Sequence, residues 1–275
     1  MTILRKLKQV IKSDNGIWVF LASAVTIQAA FVYCAANGFF FDQYYNMGRF
    51  YVLLLLAFSF TLLRLGIPGV LDLLRPMLVW RVPIRWYLFA LFWLAVFAIG
   101  VLFVSNILRG ESFKEIPFTF SLFGNFGLLK GIVLNSIIEE IVWVGLVLTL
   151  LQKQFSVFVS SQILAIFWFL WWVPIVLYGR SVIPDLPLSV LWFHYLGIAA
   201  TCAWVYYFTK SGLVVAIMQM LTNALSLIVP ILPHLSDFNT YLAFIFGKFI
   251  FAILLFGFFG PKPLFRKPLE STTVT

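Results

Sequence analysis

The chain has 275 residues, 63% of them hydrophobic and only 11% charged, and its mean hydropathy is +1.03. No water-soluble fold buries that much apolar surface, so the composition excludes a soluble globular protein and requires a polytopic membrane protein. The net charge of +9 then reads as membrane topology and contact with anionic lipids, and nucleic acid is not an expected partner.

The chain opens on a basic segment, residues 1–16, with Arg5, Lys6, Lys8 and Lys12. A long apolar run follows without an A-x-A cleavage site, so the first span is expected to act as a retained signal anchor. Apolar runs of about 20 residues predict eight spans, at residues 17–40, 45–65, 86–104, 126–151, 155–177, 188–208, 213–231 and 241–259. The second is short. An amphipathic piece at residues 70–80, carrying Asp72 and Arg75, follows it and is expected to lie in the cytoplasmic interface. One membrane domain therefore covers residues 17–259, and a tail follows at 260–275 whose last eight residues read as disordered. With the N-terminus inside, thirteen Lys and Arg fall on the cytoplasmic side and four (Arg49, Arg109, Lys114, Arg180) outside, while Lys130 and Lys248 fall within spans. That bias follows the positive-inside rule and predicts two cytoplasmic termini, in a bacterial-type plasma membrane. Cys34 and Cys202 lie inside apolar segments far apart in the chain, which suggests neither a disulfide framework nor a zinc site.

Glu139 and Glu140 stand in the middle of the fourth span, whereas the other eight acids of the chain fall near span ends, in loops or in tails. A carboxylate at mid-bilayer depth costs at least about 2.5 kcal/mol on insertion scales, so an intramembrane acid is a functional candidate by default. Two adjacent carboxyls in a low-dielectric setting do not both ionise easily. At helical spacing Asn135, Glu139, Glu140, Trp143 and Val144 make one patch, with Glu140 and Val144 on a shared face. A second patch is Trp168, Trp171, Trp172 and Pro174 on the fifth span, which by itself reads as aromatic packing beside a proline kink. A third is Gln219 and Asn223 on the seventh, four apart and so on one face.

Together the three patches resemble the CAAX-protease and bacteriocin-processing (CPBP, or Abi) family of intramembrane proteases, over about residues 69–227. The family's E-E-x-x-x-R motif is matched by Glu139-Glu140-Ile141-Val142-Trp143-Val144-Gly145, its W-a-l-W-H-l-P motif by Trp168 to Pro174, and its H-x-x-x-N motif by Gln219 to Asn223. The resemblance implies an all-α bundle of about eight transmembrane helices, with Glu139 as the base that activates water, Glu140 as its partner and Asn223 as an oxyanion donor. Three positions depart from the pattern: Val144 replaces the arginine, and Trp172 and Gln219 replace the two histidines. An indole is a donor only and cannot accept a proton from water, whereas an amide can still donate to an oxyanion.

These departures point to a pseudoprotease with a binding, regulatory or immunity-type role. Its partners would be membrane lipids and a membrane-embedded peptide or protein client. The alternative is an active glutamate-type endopeptidase acting on prenylated or leader peptides, with help from His194. A secondary transporter would also hold buried acids, but no pair of Gly/Pro-broken spans recurs in two halves. No cofactor is expected, and two glutamates without convergent histidines are a thin ligand set for zinc. The sequence further predicts one polar cavity holding Glu139, Glu140, Gln219 and Asn223. Lys248 is expected to snorkel to the interface, with pairing to Glu140 as the other possibility.

Overall fold

The computed structural model describes residues 9–40, 44–110, 118–181, 183–262 and 264–265. Most of the basic N-terminal segment, Lys114 and the tail expected to be disordered lie outside the described residues. The described chain is an all-α bundle of eight long helices: α1 (Gly16–Ala36), α2 (Tyr45–Leu74), α3 (Ile84–Arg109), α4 (Phe126–Leu151), α5 (Val157–Leu177), α6 (Leu188–Thr209), α7 (Gly212–Ile228) and α8 (Phe238–Phe259). Seven are long and apolar enough to cross a membrane, and α7, at 17 residues, is the shorter eighth, at the lower limit for a span. The helices match the eight predicted runs to within a few residues, except that α2 continues past the predicted 45–65 to Leu74, α3 extends past the predicted 86–104 at both ends and α7 stops short of 231.

Side-chain caps mark where helices begin. Asn125 accepts from the Leu128 N–H at 3.0 Å, Ser156 from Val159 at 3.2 Å, Ser211 from Val214 at 3.1 Å and Asp237 from Thr240 at 2.9 Å, each satisfying a donor left orphaned in the first turn. α3 stops at Gly110 and α6 at Lys210, both left-handed. Helix α2 is broken at Gly66, whose φ of 71° and ψ of −165° lie in a region essentially reserved for glycine. Pro68 follows two residues later. The break kinks the helix ahead of the amphipathic stretch, and a short 3₁₀ turn at Arg75–Leu78 completes it. Ser211 donates to the Val79 carbonyl at 2.5 Å, tying this segment to the start of α7.

Burial identifies the centre of the bundle. Within its most apolar window α4 is 67% buried and α6 61%, against 28% for α2 and α3. Leu55, Leu62, Phe92, Val96, Phe103, Ile250 and Phe258 remain exposed on α2, α3 and α8, as lipid-facing surfaces require. Between α6 and α8 the backbones approach closely at Gly197, where an added Cβ would stand 3.1 Å from the Phe249 nitrogen. At the end of the bundle where α3 finishes and α8 starts, Arg109 pairs with Asp237 and bonds Thr240 and Asn106. Burial pushes the Asp237 carboxyl up, but hydrogen bonds from Thr240 and the Arg109 charge outweigh it and hold it below the usual carboxylate range.

Helix α4 is not regular. After Glu140 it widens into a π-helical stretch, Ile141–Leu148, before a last α turn. The Thr149 hydroxyl bonds the Val144 carbonyl five residues back, at 3.1 Å. Sequence periodicity is silent here because every residue from Ile141 to Leu148 except Gly145 is a buried hydrophobic. The regular spacing expected to put Val144 on the face of Glu140 therefore does not apply, since the widening begins directly after Glu140.

Candidate functional site

The first half of α4 sends its polar side chains toward α7. Ser136 is fully buried, and its hydroxyl accepts from the Asn223 amide at 3.4 Å. One turn further on, Glu139 is 3% exposed and reaches a cavity of about 500 Å³ that is also lined by Asn135, Trp172, His194, Tyr195, Gln219 and Asn223. Glu139 Oε1 accepts from the Trp168 indole N–H at 3.3 Å, and Gln219 approaches the same carboxyl from α7. The expected meeting of Glu139, Gln219 and Asn223 in one cavity between α4, α5 and α7 is therefore what the fold builds.

Glu140 is a correction. It is fully buried, but it does not line the cavity, and both carboxyl oxygens lack a hydrogen-bond partner among the described residues. Adjacent residues on a helix point about 100° apart, so a cavity aligned with Glu139 leaves Glu140 facing packed neighbours. Lys248 is a second correction. It neither snorkels nor pairs with Glu140: it is 1% exposed, and its Nζ sits 2.9 Å from His194 Nδ1 with the Phe244 ring 4.5 Å away.

The largest surprise is Arg49, expected on the outer surface. It is 7% exposed and lines the cavity from α2. Its guanidinium lies over the rings of Phe50 at 4.3 Å, Trp172 at 4.6 Å, Trp171 at 5.1 Å and Tyr45 at 5.8 Å. It is also close enough to Glu139 for the two charges to act on each other. The motif position at Val144 is fully buried and neutral, so the cation facing Glu139 comes from a different helix. A lone arginine four residues into a predicted span carries no local signal that separates this role from an interfacial one.

Trp172 forms part of the wall, with the Tyr195 ring 6.3 Å away and near-parallel at 29° and the Arg49 guanidinium 4.6 Å from its centroid. Its Nε1 has no partner among the described residues. Trp168 belongs to the site although it reads as packing in the sequence. It joins Trp143 and Trp171 in an aromatic cluster, with centroids 5.9 Å and 6.2 Å from the Trp143 ring, and it also donates to Glu139. The signal that would have found it is the indole N–H on a helix expected to face a buried acid.

Chemically, the wall holds one carboxylate able to accept a proton, several amide and indole donors, and the basic pair of His194 and Lys248. At Trp172 nothing can bind or orient water as a base. Residues 121–225 match the family described as type II CAAX prenyl endopeptidase Rce1-like. The likeness to CPBP proteases drawn from the three motifs therefore holds for that stretch, which contains Glu139, Trp172, Gln219 and Asn223 and leaves Arg49 and Lys248 outside it. No curated protein matches the chain.

Proposed function

We propose that this Rce1-like membrane protein is a pseudoprotease that uses the family cavity to hold a membrane-embedded client, in a regulatory or immunity-type role. The observation that carries the reading is Trp172. It stands where the family motif has its histidine and lines the cavity that Glu139 enters. Its ring is in contact with Arg49 at 4.6 Å and stacks near Tyr195 at 6.3 Å. Loss of a general base removes roughly 10²–10⁴-fold in rate, and loss of an oxyanion donor roughly 10²–10³-fold. Glu139 alone, with an arginine rather than an imidazole beside it, is a poor activator of water.

The functional core extends over residues 69–227, with lipid and a peptide or protein client as partners. Lys12, Arg64, Arg75, Arg81, Arg85, Lys153, Lys210 and Lys262 gather at the end of the bundle where α1 begins and α8 ends, a bias that supports a cytoplasmic position for that end in a bacterial-type cell. A second reading, an active glutamate-type endopeptidase, is favoured by His194, which lines the same cavity as Glu139 and Gln219.

One assay separates the two. Purified protein incubated with prenylated and leader-type membrane peptides should release no fragment detectable by mass spectrometry. Turnover that vanishes in Glu139→Gln would overturn the pseudoprotease reading in favour of the endopeptidase. The combination Trp172→His with Gln219→His tests the cause of the silence, because it restores both imidazole positions.

A further inference from the structure

We propose that the cavity binds a single-chain amphiphile with an anionic head, a long-chain carboxylate or an alkyl phosphate, whose head pairs with the cationic wall formed by Arg49 and Lys248. The proposal rests on reading this cavity as a binding site rather than a cutting site.

The first ground is charge balance. Arg49 and Lys248 both line the cavity and both are more than nine-tenths buried, while Glu139 is the one carboxylate among the lining residues described. A guanidinium does not give up its proton in a protein, so Glu139 is committed as the counter-charge of Arg49. Lys248 then has a histidine nitrogen and a phenyl ring beside it and no carboxylate partner among the described residues. An anion in the cavity would supply the counter-charge for Lys248 that no second carboxylate among the described lining residues provides.

The second ground is free donors. Arg49 Nε and Nη1 and Trp172 Nε1 are buried on this wall without hydrogen-bond partners among the described residues. The unpaired amide oxygen of Asn135 is no obstacle, since turning that amide over presents its NH₂ instead.

The cationic groups belong to one continuous surface. The Arg49 guanidinium lies 4.6 Å from the Trp172 ring, Trp172 is 6.3 Å from Tyr195, Tyr195 is 5.1 Å from His194, and His194 is 2.9 Å from Lys248 Nζ. The rest of the lining includes Leu94, Ala98, Ile132, Leu191 and Ile245. A small inorganic anion would leave that apolar surface unmatched, whereas an alkyl chain covers it. A volume of about 500 Å³ falls within the range of about 300–1,000 Å³ that holds a drug-sized ligand.

The test is equilibrium binding of radiolabelled hexadecanoate, hexadecyl phosphate and hexadecanol to the full-length protein in nanodiscs of neutral phosphatidylcholine. At least one of the two anions should bind saturably and the alcohol at least about tenfold more weakly. Whichever anion binds better distinguishes a fatty acid from a phosphate head group as the natural ligand. Lys248→Met and Arg49→Gln should each weaken anion binding at least about tenfold, and Lys248→Arg should retain it. Ala98→Phe leaves the charges alone and narrows the apolar part, so it should shift preference from hexadecanoate to dodecanoate even if the charge variants do not fold. Saturable binding of none of the three, equal binding of the alcohol, or anion affinity unmoved by both charge substitutions would overturn the proposal. Each result is independent of the cleavage assay: a protein that neither cuts peptides nor binds anions loses this inference and keeps the pseudoprotease reading.

Discussion

A guanidinium held among four aromatic rings and one carboxylate sets the electrostatics of the cavity. Cation–π contacts are worth about 2 kcal/mol when desolvated, which offsets only part of the cost of burying Arg49, so its field on Glu139 matters to both residues. Arg49→Met should therefore strand Glu139 and destabilise the protein by about 3–5 kcal/mol, and adding Glu139→Gln in the same chain should recover most of that loss. Thermal unfolding of the purified single and double variants measures the coupling. Strictly additive losses would show that the two groups do not depend on each other. At this scale the sequence was half legible. Glu139, Gln219 and Asn223 announce themselves as polar groups in apolar helices. Arg49 does not, because cations near span ends are common, and Trp168 does not, because its ring is indistinguishable from packing until its N–H is seen at Glu139.

At the scale of the helices, length and hydropathy located every element, but two irregularities escaped. In α4 the π-helical stretch follows Glu140 immediately, and widened turns of this kind recur at functional sites. A run buried on all sides has no polar face to reveal its period, so the register shift is invisible in the sequence. The break in α2 was partly legible, because Gly66 and Pro68 sit just past the end of the apolar run at residues 45–65. Its consequence is steric: Gly66→Ala forces a side chain into backbone space that only glycine occupies comfortably, and should cost about 1–3 kcal/mol. A fall in melting temperature without a change in helix content would confirm it, whereas an unchanged melting temperature would show that the segment can straighten. Straightening would also draw the Arg75–Leu78 turn away from Ser211.

For the whole molecule, even helix number and clustered basic residues define two ends of unequal charge. Arg109 and Arg180 mark the end opposite the cluster, which carries the α5–α6 and α7–α8 connections. With Cys34 and Cys202 replaced, a membrane-impermeant maleimide applied to intact cells should label His234→Cys and spare Lys153→Cys until the cells are opened. The reverse pattern would invert the topology. Architecture was the most legible property of the chain, because a bilayer permits few alternatives to spanning helices. Lateral arrangement was not legible: nothing in the hydropathy indicated that α8 would lie against α6 and bring Lys248 to His194.

The seam at Gly197 gives that arrangement a mechanical meaning. A missing side chain lets two helices run backbone to backbone, with Phe249 N and the Lys248 carbonyl carbon as the nearest atoms, three residues along α6 from His194. Gly197 is thus a spacer of fixed thickness, and Gly197→Val would act as a wedge driven behind the cavity wall. Its nearest neighbours are backbone atoms of Lys248 and Phe249 rather than the cavity surface itself, yet it should lever α8 outward and part the Lys248 ammonium from its imidazole. A crosslink between cysteines placed at 194 and 248 should form readily with glycine at the spacer and poorly with valine.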